Sequence, residues 1–406
     1  MAPSTTVLDI RRRNRGRVLR NLLLAGESTR ATLALETELS TATVTNVVSD
    51  LIAEGLVGEV GTLPSNGGRP IARLSPRGDS AYVIGADIGE HGITAELYDL
   101  SLRRIDRIFD KVSNRLADPQ TIAKALGDSV GAIRSANKYI EGRLIGLGLG
   151  LPGIVDTTPD GTTAIHAQCF GWEPVDLYSL YDDPDIAVYA DNGAKTMAAA
   201  EAWRGGARDI QHCIVALIGR GVGAGFIVDG TLLRGLSSSA GEWGHTKISL
   251  DGRKCACGGR GCLEAYVGGA AIMQRWQDTG AMPHGTEEEA LTQLIDAADN
   301  GDDNARQVLD ETVEILGAGL ANLVNLFNPQ TIIIGGWTGL ALANARLTQL
   351  NHHTRAQALA RPAQQVQLKV SQLGRDAVAL GAALLPLQQL INGTALQTNR
   401  TKTETR

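Results

Sequence analysis

The spacing of the apolar residues changes at about residue 80, and this change divides the chain into two unequal parts. Within residues 40–55 the apolar residues recur at intervals of three and four, which is the spacing of one buried helix face. This stripe consists of Val44, Val47, Val48, Leu51 and Ile52. From Ala81 onwards, short β-type runs alternate with helical stretches, which indicates an α/β domain. We therefore expect two domains, residues 1–80 and 81–391, followed by a disordered polar tail at residues 392–406.

The first domain has the element order of a winged helix-turn-helix. Three helices are predicted, of which the second is capped by Ser28 or Thr29 and the third by Ser40. Two short strands, at residues 56–60 and 71–74, then flank a loop rich in Pro, Ser, Asn and Gly. Three helices followed by such a hairpin are typical of a DNA-binding module with a wing.

The basic residues are concentrated in this first domain. Its 80 residues contain ten Arg and no Lys against eight acidic residues, a balance of +2, whereas the remainder has 28 basic and 36 acidic residues, a balance of −8. The total of −6 argues against a protein that coats nucleic acid indiscriminately. A small basic module on an acidic body instead predicts that one domain binds a double-stranded DNA operator.

Two parts of this module are candidates for DNA contact. The third helix begins with short polar side chains that reach base edges or phosphates in a major groove. These are Thr41, Thr43, Thr45 and Asn46. The wing carries Arg69 between glycine and proline, and an arginine in such a hook suits a narrow minor groove, where the potential is most negative. The alternative is a winged helix that contacts a protein instead of DNA.

The second domain is predicted to have two lobes. The first comprises residues 81–195 together with a closing helix at 376–391, and the second comprises residues 196–375. A long helical region at residues 287–327 precedes a buried strand at 331–334. The apolar runs are far shorter than the roughly 18 to 20 residues that span a bilayer, and no apolar core follows the basic N-terminus. We expect no membrane association, no secretion signal and a cytoplasmic location.

Three of the five cysteines lie in one glycine-rich stretch, at Cys255, Cys257 and Cys262, and His245 precedes them. Three thiolates and one imidazole form the tetrahedral ligand set that structural zinc prefers, and the glycines allow the backbone to fold around an ion. A closed site with four protein ligands leaves no position for a catalytic water. We expect one structural zinc ion per chain, with reduced cysteines in a glycine-rich loop as the alternative.

Four stretches of the chain resemble the ROK family of repressors, open reading frames and kinases. They are Leu149–Asp156, Asp191–Glu201, Gly241–Glu264 and Asn325–Gly336. The resemblance implies a two-lobed, actin-like or ribonuclease-H-like domain with a sugar in the cleft between the lobes, and the front module resembles that of the repressor branch. It also implies that a set of polar residues and one glycine lines the sugar site. These are Asn192, Gly193, Glu242, His245 and Glu264.

A sugar, being rich in hydroxyl groups, needs several fixed polar partners in a small space, which agrees with that set. The resemblance implies that His245 binds the sugar while it also ligates zinc. For each glutamate, the alternative is a surface side chain beside the metal loop.

The chain departs from the ROK kinases where phosphate would be transferred. The family stretch Glu-Asn-Asp-Ala-Asn, whose Asp takes the proton from the sugar hydroxyl, corresponds to residues 191–195 here, and Gly193 stands at the position of that Asp. The first phosphate loop contains Glu90 and His91, and Glu90 places a negative charge where phosphates would approach. The second loop has Arg220 where the kinases have Thr. We therefore expect no catalytic residue, no kinase activity and no ATP as cofactor.

A further departure concerns the family's sugar-contacting asparagine, whose place is taken by either Gln168 or Cys169. At the cleft itself, Gly193 lacks the kinase carboxylate, which would repel the phosphate group of a bound sugar phosphate and fill its space. Lys195 places a cation in the same segment, and its side chain is directed either to the ligand or to solvent. We therefore expect a sugar phosphate to bind as well as or better than the free sugar.

These features predict a DNA-binding regulator of carbohydrate genes, a repressor or an activator, that responds to a sugar or sugar phosphate. We expect a homodimer or homotetramer, because paired recognition helices engage a palindromic operator. The principal alternative is a ROK sugar kinase with an accessory DNA-binding module. A regulator that answers to a protein partner instead of a sugar is the third possibility.

Overall fold

The structure is a computed structural model that describes residues 6–64, 70–89, 92–112, 118–158, 162–167 and 170–393. Several residues named above lie outside this part of the chain. They are Arg69, Glu90, His91, Gln168 and Cys169, together with the predicted tail from residue 394 onwards.

The N-terminal module contains three helices and a two-stranded antiparallel hairpin. These elements are α1 (Val7–Ala25), α2 (Arg30–Thr37), α3 (Thr41–Ala53), β1 (Val57–Leu63) and β2 (Ile71–Pro76). The side chain of Thr29 accepts a hydrogen bond from the Thr32 amide, and the side chain of Ser40 accepts one from the Thr43 amide. Thr29, and not Ser28, therefore caps α2, and the predicted cap of α3 is confirmed.

One member of the predicted apolar stripe on α3 is exposed, and another, Val47, is only partly buried. Val44, Val48 and Leu51 are completely buried in a core shared with α1, whereas Ile52 is 36% exposed. Ile52 follows Leu51 by about 100° around the helix axis, which places it at the edge of the buried face. The prediction of a continuous buried stripe was therefore wrong at this residue.

Residues 82–192 form a five-stranded sheet and a small three-stranded sheet. Their elements are β3 (Tyr82–Gly89), β4 (Gly92–Asp99), β5 (Arg104–Asp110), α4 (Pro119–Ala136), β6 (Leu144–Leu151), β7 (Ile154–Thr157), β8 (Thr163–His166), β9 (Val175–Asp176), α5 (Leu177–Leu180) and β10 (Val188–Asn192). The strand order in the larger sheet is β10-β6-β3-β4-β5. β3, β4 and β5 form an antiparallel meander, whereas β6 and β10 run parallel to β3.

Residues 193–391 form the second five-stranded sheet and most of the helices. Their elements are α6 (Gly193–Arg204), β11 (Cys213–Ile218), β12 (Val222–Val228), β13 (Thr231–Leu232), α7 (Glu264–Val267), α8 (Gly269–Asp278), α9 (Glu287–Asp299), α10 (Asp303–Phe327), β14 (Thr331–Gly335), α11 (Trp337–Gln357), α12 (Ala360–Gln365), β15 (Gln367–Val370) and α13 (Ala377–Ile391). The strand order is β13-β12-β11-β14-β15, again an antiparallel meander followed by two parallel strands. This repeated topology confirms the predicted α/β fold class with two related sheets.

Helices α6 and α13 join the two sheets. A Cβ added to Gly148 of β6 would lie 1.8 Å from the main-chain oxygen of Ala382, so α13 rests directly on the backbone of the first sheet. A Cβ added to Gly381 would lie 1.8 Å from the main-chain oxygen of Thr196, so α13 and α6 are equally close to each other. α6 in turn packs on β11 and β12 of the second sheet. The predicted lobe boundary at residue 195 thus falls inside α6, within this joint, and the division into lobes stays a prediction.

The helical region predicted at residues 287–327 consists of two helices. α9 ends at Asp299 and α10 begins at Asp303, and Gly301 between them has a φ of +95°, a conformation that favours glycine. α10 has 25 residues. Neither it nor any other helix among the described residues is both long and apolar enough to cross a bilayer.

Replacing Gly381 with Ala should lower the free energy of unfolding by at least roughly 1–3 kcal/mol, the usual cost of overpacking, because the Thr196 main-chain oxygen cannot rotate away. Gly131→Ala is the matched control, since Gly131 also lies within a helix but an added Cβ meets nothing within 4 Å. This control should raise the free energy of unfolding by about 0.5–1 kcal/mol. Chemical denaturation measures both, and equal effects would contradict the close packing of α6 on α13.

Candidate ligand cleft and metal centre

Asn192 fixes the junction between β10 and α6. Its Oδ1 accepts a hydrogen bond from the Ala194 amide at 2.8 Å and so caps α6, while its Nδ2 donates to the main-chain oxygen of Gly153 at 2.6 Å. Both ends of the side-chain amide are therefore engaged within the protein. Asn192 holds the loop between β6 and β7 against the start of α6.

Gly193 is the first residue of α6, and its environment leaves room for a side chain. An added Cβ would lie 3.7 Å from the Leu151 main-chain oxygen and from Leu217 Cδ2, and 3.9 Å from Val378 Cγ1, which are ordinary contacts. Neither packing nor backbone strain therefore requires glycine at this position. The fold would therefore accept a side chain at this position, and the absence of a carboxylate here has no steric cause.

Asp191 and Arg234 connect the parts of the chain that belong to the two sheets. Asp191 lies in β10 and its side chain is only 3% exposed, whereas Arg234 follows β13 and is half exposed. The guanidinium Nη1 of Arg234 donates to Asp191 Oδ2, and Asp191 Oδ1 accepts a hydrogen bond from the Asn192 amide at 2.8 Å. Both oxygens of Asp191 therefore accept a hydrogen bond from the protein itself.

Lys195 is buried one turn into α6. Its residue is 1% exposed, although the sequence left open whether its side chain points to solvent. Among the described residues, no group accepts a hydrogen bond from its ammonium and no carboxylate oxygen lies within 4.0 Å of it. Burial lowers the pKa of Lys195, and the charges of Asp191 and Glu242 oppose this shift.

The four predicted metal ligands, His245, Cys255, Cys257 and Cys262, lie together. Their donor atoms are all within 4.8 Å of one another. Cys255 Sγ lies 3.7 Å from His245 Nδ1, and Cys257 Sγ lies 3.7 Å from Cys262 Sγ. A tetrahedron with metal–sulfur distances of about 2.3 Å has edges of about 3.8 Å. The spacing and chemistry of the four donors therefore fit a single tetrahedral metal ion.

The four predicted metal ligands lie beside Glu242 and Glu264, two of the residues that were expected to bind a sugar. His245 directs Nδ1 to the cysteines, while its Nε2 lies 3.9 Å from Glu242 Oε2. Glu264 begins α7, and its Oε2 accepts a hydrogen bond from the Val222 amide at 2.9 Å. The other oxygen of Glu264 lies 3.6 Å from Cys255 Sγ. Glu242 is a third exposed, and burial raises the pKa of its carboxyl.

Two residues of this centre were missed in the sequence. Lys247 Nζ donates a hydrogen bond to Cys262 Sγ at 3.0 Å, which places a positive charge beside the thiolates. The hydroxyl of Tyr266 accepts a hydrogen bond from the Arg253 amide at 3.0 Å and ties the metal loop to α7. The position of Lys247 two residues after His245 was the available signal. Nothing in the sequence shows which way a tyrosine hydroxyl points.

The glycine-rich hairpin between β11 and β12 is covered by Trp337. An added Cβ on Gly219 would lie 3.4 Å from Trp337 Nε1, and one on Gly269 would lie 2.1 Å from Trp337 Cη2. The indole therefore occupies the space between this hairpin and the start of α8. Arg220 at the hairpin tip pairs with Glu287 at 3.7 Å.

The start of α3 exposes most of the predicted DNA-contacting residues. Thr41, Thr45 and Asn46 are exposed, whereas Thr43 is half-buried. Thr43 Oγ1 lies 2.8 Å from Ser40 Oγ, so its hydroxyl takes part in the cap. The hydroxyl of Thr45 donates to the Thr41 main-chain oxygen at 2.8 Å. Thr41 and Asn46 are thus the exposed members of the set whose side chains make no hydrogen bond to another described residue.

Helix α1 of the N-terminal module is tied to both α6 and α13. The guanidinium of Arg20 lies over the ring of Trp203 in α6, 5.5 Å from its centroid. Arg15 donates to the main-chain oxygens of Leu390 at 2.6 Å and Ile391 at 3.1 Å, at the end of α13. The same guanidinium pairs with Glu54, directly after the last residue of α3, at 2.6 Å. A movement of α6 or α13 would therefore act on α1 and on the end of α3.

The fold and site define a class of protein in which a winged helix-turn-helix precedes a duplicated two-sheet domain with a metal centre beside its cleft. The model of the ROK family matches residues 83–389, and the chain belongs to the ROK family. A xylose repressor from Caldicellulosiruptor bescii is 30% identical over 387 residues, which cover 92% of this chain and 95% of the relative.

Solved structures show the same relationship. A ROK family transcriptional regulator, described as a homologue of the Escherichia coli MLC protein, has a TM-score of 0.76 and 25% identity, over 96% of this chain and 99% of that chain. A ROK family glucokinase from Streptomyces griseus, in complex with glucose and AMPPNP, has a TM-score of 0.62 and 27% identity. It covers 76% of this chain and 100% of its own. The regulators thus match nearly the whole chain, and the glucokinase matches a smaller share.

Proposed function

We propose that this chain is a transcriptional repressor that binds operator DNA through its N-terminal module and responds to a sugar or sugar phosphate bound in its ROK domain. The observation that carries this proposal is the match to a xylose repressor over nearly the full length of both chains, the N-terminal module included. The exposed polar face of α3 and the polar cleft beside the metal centre support it. Two-fold pairing of α3 on a palindromic operator favours a homodimer or homotetramer.

In this proposal Thr41, Thr45 and Asn46 read the major groove, and Thr43 supports them by completing the cap of α3. Arg69 of the wing contacts the minor groove. The exposure of the α3 face supports the first part, and the Gly-Arg-Pro sequence supports the second.

The sugar lies between the start of α6 and the metal centre. Glu242 and His245 Nε2 accept or donate hydrogen bonds to its hydroxyl groups, and Glu264 contributes while it remains bound to the Val222 amide. Asn192 and Gly193 form the opposite wall. Closure of the two sheets around the sugar moves α6 and α13, and the contacts of Arg15 and Arg20 transmit this movement to α1 and α3.

The ion held by the metal centre is zinc, because three thiolates and one imidazole at tetrahedral spacing are the ligands that structural zinc prefers. Its role is structural, since four protein ligands close the site. Lys247 offsets the negative charge that three thiolates leave on such a centre.

The ROK domain does not transfer phosphate. Gly193 has no side chain to accept a proton, and Asp191 is engaged by Arg234 and by the Asn192 amide. Glu90 in the first loop repels a nucleotide, and the indole of Trp337 fills the space beside the second glycine-rich hairpin.

Selection of bound sequences from a random double-stranded library should yield a palindromic operator. Arg69→Ala is expected to weaken operator binding and to lower the salt slope by about one counterion, whereas Asn46→Ala should change the preferred bases. Fluorescence anisotropy at several salt concentrations measures both. Lys124→Ala, on the exposed face of α4, is the control and should change neither. Unchanged binding in both variants would show that another surface reads DNA.

Phosphorylation of glucose or N-acetylglucosamine with ATP should not exceed the rate without enzyme. Gly193→Asp should not restore it, because the altered phosphate loop and Trp337 remain. A coupled assay for ADP measures the turnover. Turnover by the unchanged protein clearly above the blank would favour the sugar-kinase alternative.

Elemental analysis of the reduced protein should find one zinc per chain. Cys257→Ser should lose the metal and weaken the response to ligand, because the same loop leads into α7 and Glu264. Cys213→Ala is the control, since Cys213 is a free cysteine on β11 outside the metal centre, and it should retain the metal. Zinc absent from the unchanged protein would contradict the assignment.

A further inference from the structure

A cavity of about 460 Å³ lies apart from the predicted sugar and metal residues. It is bordered by the turn between β4 and β5, the last turn of α6 and the segment that leads into α13. Arg204 ends α6, whereas Gly193 begins it, and this length of helix corresponds to about 16 Å along its axis. Small-molecule sites span roughly 300–1,000 Å³. The cavity is therefore large enough for a small organic ligand and separate from the start of α6.

One part of the lining is electrically balanced. Arg104 and Asp376 border the cavity, and Arg104 Nη1 donates to Asp376 Oδ2 at 2.5 Å. Arg107 donates to the other oxygen of Asp376 at 3.3 Å. Both arginines also donate to the completely buried Glu96, at 2.7 and 3.1 Å. Two guanidinium groups thus pair with two carboxylates, so Asp376 adds no unbalanced negative charge to the lining.

Arg204 is left as an unbalanced positive charge. The third arginine of the lining is Arg103, whose Nε lies 3.5 Å from Asp99 Oδ2, so these two charges balance. Arg204 Nη2 donates to the main-chain oxygen of Ser101 at 2.6 Å. No carboxylate oxygen of a described residue lies within 4.0 Å of the Arg204 guanidinium. Because a guanidinium has five N–H donors, most of those of Arg204 remain for one negatively charged group of a ligand.

The uncharged part of the lining is largely apolar. Tyr98, Leu102 and Leu380 are buried, and Leu373 is partly buried. The hydroxyl of Tyr98 donates to Glu96, so it is engaged within the protein. All four side chains pack in the same apolar cluster as the buried residues of α1. A ligand with an apolar body would therefore lie against the core that holds the N-terminal module.

We propose that this cavity binds a small organic acid, with its carboxylate on Arg204 and its apolar body against Tyr98 and the three leucines. A carboxylate accepts two parallel N–H bonds from a guanidinium. One unbalanced positive charge matches a carboxylate, whereas a phosphate monoester brings nearly two negative charges. This site goes beyond the proposed function and does not depend on it, because it shares no residue with the sugar site or the metal centre.

Calorimetric titration of the full-length, metal-bound protein tests the site with phenylacetate and hexanoate as probes. Each probe is compared with its amide, which is neutral and has nearly the same shape, and with acetate, which lacks the apolar body. At least one of the two carboxylates should bind about tenfold or more tightly than its amide, as expected for a charge-assisted contact. It should exceed acetate by a similar factor, because it buries additional carbon atoms. Phenyl phosphate should not bind more tightly than phenylacetate.

Variants then locate the binding. Arg204→Met should bring the affinity ratio of carboxylate to amide close to one. Ser101→Asp should do the same, because it places a carboxylate beside the Arg204 guanidinium, and it keeps the test valid if Arg204→Met does not fold. Arg208→Met is the matched control, since Arg208 pairs with Asp209 at 3.7 Å and does not border the cavity. It should keep the ratio, and thermal unfolding checks that each variant is folded.

The proposal is overturned by the absence of saturable binding of both carboxylates, by amides or acetate that bind as tightly, or by tighter binding of phenyl phosphate. It is also overturned by a ratio that neither Arg204→Met nor Ser101→Asp changes. Failure of the proposed function would instead appear as the absence of operator binding or of sugar binding, and neither measurement involves these probes.

Discussion

The contact between α6 and α13 is made backbone against backbone, and the rest of the structure depends on it. Each sheet has one face covered by one of these helices, and glycines at the crossing points allow main-chain atoms to approach more closely than any side chain permits. α6 begins at Gly193, which was expected to lie beside the sugar, and its last turn carries Trp203, which contacts Arg20 of α1. Because packed helices are rigid, a displacement at one end of α6 is felt at the other.

The residues around the start of α6 and the metal centre carry charges of both signs, and their pairing decides what each can do. Asp191 is satisfied by Arg234 and the Asn192 amide, and Glu264 is held by the Val222 amide. Lys195 is buried without a comparable partner among the described residues. Groups whose hydrogen bonds are satisfied within the protein hold the backbone around them in position.

Much of the fold followed from local signals in the sequence, and the cleft followed only in part. The cap at Ser40, the alternation of strands and helices and the grouping of the cysteines each depend on neighbouring residues, so they could be predicted. The break at Gly301 also had a signal, because Asn300-Gly301 is typical of a turn. The burial of Lys195 and the contact of Lys247 with Cys262 depend on packing between distant segments, which periodicity does not reveal. Ile52 was misassigned because helical spacing alone does not mark where a buried face ends.

Arg15 donates hydrogen bonds to main-chain oxygens at the end of α13, whereas its contact with the end of α3 is an ion pair with one carboxylate, that of Glu54. Every residue type offers a main-chain oxygen, so substitutions at positions 390 and 391 cannot delete the first attachment. Glu54 can be lost by one mutation. The attachment of the N-terminal module to α13 therefore does not depend on which side chains stand at positions 390 and 391, while the position of α3 is fixed mainly by its buried core residues and only in small part by Glu54.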